Sequence, residues 1–485
     1  MIALEQQVSN LDTMGLAIAD AGGRLMMLFV ESSAEGRRSL VALVHKEGGI
    51  LELAAPVDRS SYPAITPAVP AAHWFEREIH DLWDLVPEGH PRLEPLVRHI
   101  PEQDELPLAT NAGTEARLEH RGAERLSGAG VFVFPYGPIR SGVFEAAQFL
   151  VQTGGEDVAY CAQRLFFKRR GAERRICEVP PELAVLVAER VSGTSSVAHA
   201  LAFSHAVETL ARTEIPDRAR AIRRVLAELE RMYNHVEVIV RECEDASLTV
   251  AQAQFAALKE RLHRLASAVI GNRFLRGAVV PGGVRIDLDS AAIDLIDSTL
   301  SNWARDWRRT RSVLLQTDSF LDRLVSAGPL SEPDAREFGC VGPVARGSGI
   351  DLDTRRDLPY DGYQDVQVSC RSDGDAMARI EVRLDEVDSS MAVIRAALNP
   401  LPTGSIRVEV GAFELDAALG AAESARGETL YWLEPGAGDR LRFCKLRAAS
   451  FVNFGIFNRV FDSQVLTDFS FIEHSLGLSP AGCDA

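Results

Sequence analysis

No two of the seven cysteines in this chain stand at the CxxC interval that zinc and iron–sulfur sites use; Cys161, Cys177, Cys243, Cys340, Cys370, Cys444 and Cys483 are scattered. An odd, dispersed set fits buried thiols better than disulfides. Positive charge is scarce as well: 52 Lys and Arg face 69 Asp and Glu, a formal net charge of -17. Nucleic acid and anionic membrane surfaces are recognised by clustered cations, so the first is excluded as a partner and direct adsorption to the second is not expected. Long apolar runs are missing too. Near the N-terminus the most compact is Leu25 to Val30, far below the roughly 20 residues of a membrane span. No basic, apolar and small-residue pattern of an export signal precedes it. The expectation is a soluble cytoplasmic chain, held at a membrane, if it works at one, by another subunit.

What is present is ordinary for a folded protein: 46% hydrophobic and 25% charged residues over 485 positions, enough for two or three domains with large cores. Leu25–Val30 and Leu40–Val44 read as short strands, and Trp74–Trp83 as a helix with apolar residues at 75, 79, 82 and 83. A polar stretch without periodicity then reads as a linker, ahead of a strand at Val131–Phe134. Beyond it the chain is mainly helical. The clearest stripe follows Pro216, in the first turn of a helix where its missing N–H costs nothing, and others cover 252–270, 291–326 and 379–397. The fold class expected is α+β: a small α/β unit over 1–105, a linker over 106–127, and a helical domain with peripheral strands over 128–485.

Several strings carry a resemblance. Ala72-His-Trp-Phe-Glu-Arg-Glu-Ile-His-Asp-Leu-Trp83 with Glu88-Gly-His-Pro91 is similar to the signature of the small peripheral subunit of respiratory complex I. Taken alone, Glu76, Arg77 and Glu78 would read as a solvated face; the resemblance implies that they help dock the two peripheral subunits together. From Gly137-Pro-Ile-Arg-Ser-Gly-Val-Phe-Glu145 onward the similarity is to the hydrogenase-like large subunit. It continues through Phe166–Glu173, Glu228-Leu-Glu-Arg-Met-Tyr-Asn-His235, Gly271–Phe274, Pro281–Arg285, Gly342–Gly349 with Asp353, Gly374–Arg379 and Arg426-Gly427. The two parts joined in one chain resemble the energy-converting, formate-hydrogenlyase-type (group 4) nickel–iron hydrogenases.

The resemblance fails at the metal. The family holds nickel and iron with two CxxC pairs, because soft thiolates suit and bridge these ions. Here the first string reads Glu189-Arg-Val-Ser-Gly-Thr-Ser-Ser-Val-Ala-His199, with Ser192 and Ser195 at the ligand positions. The closing string places Ser479 and Gly482 at the other two, with Cys483 one residue late. Binding of nickel and iron, and hydrogen turnover, are therefore not expected, and no cofactor is assigned to this chain. Ser195 or Ser196 is expected instead to cap the following helix. A complex I quinone site is not expected either: its histidine and tyrosine correspond to Phe144 and Gly193.

What the resemblance implies for function rests on Glu145, which matches the acidic residue that carries protons away from the metal. His199, Arg140, Arg346 and Asp353 belong to segments expected around the same cavity. Together they are expected to relay protons or bind a small anion, or else to form a satisfied ion-pair network and, for His199, part of the core. Arg169 stands where the family often has histidine. The implied partners are an iron–sulfur small subunit carrying a 4Fe-4S cluster and membrane subunits resembling antiporters and the quinone module, at the cytoplasmic face of the cell membrane. The alternatives are a non-catalytic scaffold and a subunit reducing quinone or another acceptor.

Overall fold

The computed structural model describes residues 2, 4–33, 35–47, 49–97, 126, 128, 130–140, 145–363 and 366–485. Most of the expected linker at 106–127, and Phe144, lie outside the described residues. The N-terminal part builds a four-stranded sheet in the order Leu4–Val8, Gly49–Val57, Arg38–Lys46, Arg24–Ser32. Only Leu4–Val8 runs parallel to its neighbour.

The apolar runs in this sheet do not alternate with polar residues because both faces are covered. Leu28, Val30, Leu40 and Ala42 join the main core. Met27, Phe29, Val41 and Leu43 point the other way, onto Leu419, Leu430 and Trp432. Those three belong to a second antiparallel sheet, Ala418–Ser424, Gly427–Pro435 and Leu441–Arg447. Phe29 lies 5.8 Å from both Trp432 and Phe443, ring centre to ring centre. The sequence reading placed no strands at 418–447. These strands are buried nearly throughout, their polar residues included.

The Ser196–Leu210 helix lies on the second sheet. It comes so close that a Cβ on Gly420 would sit 2.0 Å from the Ala202 carbonyl oxygen. The helical body is formed by Asp217–Asp245, Thr249–Ile270, Ser290–Leu314 and Ala376–Leu398. Pro216 is the residue before its helix, in extended backbone, not part of the first turn. The stripe read over 291–326 is two helices, since the chain stops at Leu314 and restarts over Asp318–Leu324. A further sheet, Phe132–Tyr136, Gln148–Thr153 and Val158–Arg164, brackets the loop that leads to Glu145. The molecule is thus α+β, with a strand-rich N-terminal part followed by a mainly helical one.

The helix read as Trp74–Trp83 spans His73–Trp83, and its charged residues are not solvated: Glu76, Arg77 and Glu78 are all buried. Each has a partner. Glu76 accepts the backbone N–H groups of Ile65 and Thr66, and Arg77 donates to the Glu94 and Pro95 carbonyls. Glu78 reaches across to Lys445, 2.9 Å away. Trp74 and Phe75 meet Phe451 from the far end of the chain.

A hydroxyl cluster where the ligand strings converge

Positions 192 and 479 are 287 residues apart in sequence, yet the fold brings their side chains together, Oγ to Oγ at 3.2 Å. Both serines are 2% exposed. Ser479 lies just ahead of the short Pro480–Cys483 turn of helix and donates its hydroxyl proton to Glu145 at 2.8 Å. The N–H of Ala481 adds a second bond to the same carboxylate, 2.6 Å. A hydroxyl has a single proton, so with Ser479 giving its own to Glu145, Ser192 is the donor between the two serines. Three residues singled out in the sequence, Glu145, Ser192 and Ser479, form one connected group.

Ser195 is turned to a different partner. It accepts from the Arg426 guanidinium at 2.8 Å, and Arg426 also donates to the Asn234 side-chain oxygen at 3.3 Å. Neither Ser195 nor Ser196 caps the following helix. Glu230, from the neighbouring long helix, takes that role by accepting the N–H groups of Val197 and Ala198 at 2.7 and 2.9 Å. Its two oxygens accept one N–H each, where a hydroxyl would satisfy a single one. Burial pushes Glu230 up to about 7, against the lowering effect of those two N–H groups.

Guanidinium groups surround the 190–196 segment. Arg170 donates to the Arg190, Val191 and Ala481 carbonyls, and Arg276 to the Gly193 carbonyl at 3.1 Å. A Cβ on Gly193 would stand 3.2 Å from that Arg276 side chain, so the site is shaped around a glycine. Gly482 contributes backbone only, and a Cβ there would lie 3.3 Å from that of Ala448. Cys483 is buried with its Sγ 3.8 Å from the Ser479 carbonyl, and burial holds its thiol well above the ordinary range.

This donor set does not fit a nickel–iron centre. It offers hard hydroxyls with a guanidinium already on Ser195, and the nearby sulfur is a protonated thiol. Among the described residues, no three of His, Cys, Asp or Glu are grouped to hold a metal ion.

The remaining residues singled out in the sequence fall elsewhere. His199 is 1% exposed and bonds the Tyr431 hydroxyl at 2.9 Å through Nδ1. Burial, with Arg426 and Arg170, brings it down to about 3, so it is neutral. Arg140 pairs with Glu473 at 2.6 Å over the rings of Tyr136 and Phe149. Arg346 and Asp353 lie in a buried ion cluster. Arg346 bonds Glu386 and Glu423 at 2.9 and 3.0 Å, and Asp353 bonds Arg355 at 2.7 Å. Arg355 and Arg231 close on Glu228, and His235 on Glu386 at 2.7 Å. Burial opposes these charges, yet Arg355 and Arg346 hold Asp353 down to about 2. Arg169 stands 3.8 Å from Glu78 and 3.7 Å from Glu173, beside Lys445. It shares a narrow cavity with Gly482 and Cys483.

Sequence reasoning missed Arg170, Arg276 and Glu230 as parts of this site. They act on backbone groups of other segments, which no local spacing reveals.

Comparison with known proteins agrees with this architecture. The family described as respiratory-chain NADH dehydrogenase, 30 Kd subunit, matches residues 19–114, and the corresponding 49 Kd subunit family matches residues 245–418. Domains similar to these two complex I subunits are thus fused in one chain, as part of a hydrogenase-related polypeptide. Formate hydrogenlyase subunit 5 of Escherichia coli (strain K12) is 29% identical over 94% of this chain and 84% of its own length. Hydrogenase-4 component G of the same organism is 27% identical over 88% of this chain and 76% of its own. The carbon monoxide-induced hydrogenase of Rhodospirillum rubrum is 27% identical over 71% and 97%. Among the described residues no helix is long and apolar enough to cross a membrane.

Proposed function

We propose that this chain is the large peripheral-arm subunit of a membrane-bound, hydrogenase-related oxidoreductase complex, working without nickel and iron and without hydrogen turnover. The observation that carries this reading is the Ser192–Ser479–Glu145 group. The two ligand strings still meet, but they meet as hydrogen-bonded hydroxyls. In this reading Glu145 is a proton acceptor facing a hydroxyl relay, and Arg426 and Arg276 keep the 192–196 segment positive. An iron–sulfur subunit with a 4Fe-4S cluster supplies electrons. Antiporter-like and quinone-module-like membrane subunits hold the chain at the cytoplasmic face and move protons or another ion. The division at 1–105, 106–127 and 128–485 belongs to the same reading, the first part docking through Glu78 on Lys445.

Metal analysis of the purified complex tests it. Iron from the iron–sulfur partner without stoichiometric nickel, and no hydrogen uptake or evolution, is the expected result. One nickel per chain overturns it.

The scaffold alternative takes the same group as a closed set, in which Glu145, Ser192 and Ser479 satisfy one another. It requires Glu145→Gln to leave the activity of the assembled complex intact, whereas the proton-acceptor role requires a loss of at least about tenfold.

A further inference from the structure

Glu242 is fully buried in the Asp217–Asp245 helix, and both of its carboxyl oxygens lack a hydrogen-bond partner. Two buried guanidiniums of the Ala376–Leu398 helix lie within Coulomb range, Arg379 and Arg383, and each has an N–H without a partner: Nη2 of Arg379 and Nε of Arg383. An orphaned polar atom of this kind is costly to bury. Acceptors and donors are thus left open at one junction of helices.

Other atoms of these two arginines are engaged by the Phe469–Leu476 helix. Arg379 bonds the Ser475 hydroxyl at 3.0 Å, and Arg383 the Ser475 and Leu476 carbonyls at 3.3 and 2.9 Å. Gly477, at φ +65°, fits flush on Arg383: a Cβ there would be 2.6 Å from Nη2. Two residues later comes Ser479, the hydroxyl on Glu145.

We propose that the junction of these three helices is a proton-binding site centred on Glu242, whose occupancy sets the grip of Arg379 and Arg383 on the segment that carries Ser479. With the proton on Glu242, the carboxyl is neutral and both guanidiniums stay on Ser475 and Leu476. When the proton is lost to bulk water, the carboxylate recruits the open N–H groups of Arg379 and Arg383, and their hold on 475–477 weakens. No electron moves and no covalent bond other than O–H breaks. The charged groups facing Glu242 are Asp245 on its own helix and the two arginines. From the third helix His474 faces it through its 2.5 Å bond to Asp245. Burial, followed by Asp245, pushes the Glu242 carboxyl well above the ordinary range, against Arg379 and Arg383.

The test uses the full chain. Infrared difference spectra of wild type against Glu242→Gln should show a protonated-carboxyl band in wild type that the variant lacks. Amide hydrogen exchange at 475–482 should rise about tenfold beyond its intrinsic pH dependence as pH is raised through the point where that band disappears in wild type, and stay flat in the variant. No excess rise in wild type overturns the proposal without need of any variant. So does an identical band, or an identical rise, in Glu242→Gln. Glu242→Met, similar in volume and unable to titrate, replaces the glutamine variant if that one does not fold.

Discussion

Among single residues the consequential group is Glu230. Its carboxyl keeps a proton up to about 7 when folded, against an ordinary value of 4.5. The folded state therefore binds more protons than the unfolded one between these values, and stability falls as pH rises through that window. The span corresponds to about 3 kcal/mol. Glu230→Gln is expected to flatten the stability profile between the two values, read by urea unfolding at a series of pH values; an unchanged slope would contradict this role of Glu230. Asp353 behaves in the opposite sense, with a lowered folded value, so its contribution is present at neutral pH and is lost only as pH falls toward about 2. Asp353→Asn leaves Arg355 and Arg346 short of a buried counter-charge and is expected to cost about 3–5 kcal/mol by the same assay.

Between elements, the His73–Trp83 helix is held to the rest of the chain by a half-buried ion tetrad of Glu78, Lys445, Glu173 and Arg169. Glu78→Gln is expected to leave Lys445 under-compensated and to raise hydrogen exchange in that helix by about tenfold or more, while the Asp217–Asp245 helix is unaffected. Equal exchange in both helices would place the docking energy elsewhere. The tetrad also gives Arg169 a role that its position in the sequence did not suggest. A second expectation concerns Gly420, where the Ser196–Leu210 helix touches the sheet. Gly420→Ala must push the helix away from a 2.0 Å clash and is expected to destabilise by about 1–3 kcal/mol. That shift is transmitted to Ser195 at the helix start, so the thermal midpoint and the environment of Tyr431 should change together.

Across the molecule, the two ends of the chain are bound by packing of sheet on sheet. Trp432 is 1% exposed, packed against Phe29 on the face turned to the N-terminal sheet. Trp432→Ala is expected to cost about 3–5 kcal/mol. Unfolding of the N-terminal sheet should precede that of the helices in the variant, followed by limited proteolysis; a single unchanged transition would contradict this arrangement.

Much of this plan was open to reading from the sequence. The stripe after Pro216 marked the Asp217–Asp245 helix through its 3.6-residue repeat, although the fold buries most of that helix. The apolar runs at 25–30 and 40–44 marked strands by the same logic of period and length. The ordered strings named the family. The strands at 418–447 escaped because Glu423, Ser424, Glu428, Thr429 and Glu434 interrupt their apolar runs, polar residues that only the fold buries.

The chemistry available was written into the chain: hydroxyls at 192, 195 and 479, no side chain at 482, and a carboxyl at 145. Which of these meet is a property of the folded molecule alone. Ser192 found Ser479 and Glu145, while Ser195 went to Arg426 and its helix start to Glu230. The reason is range. Composition and periodicity are local, whereas hydrogen bonds and ion pairs between residues hundreds of positions apart exist only once burial has fixed which segments are neighbours.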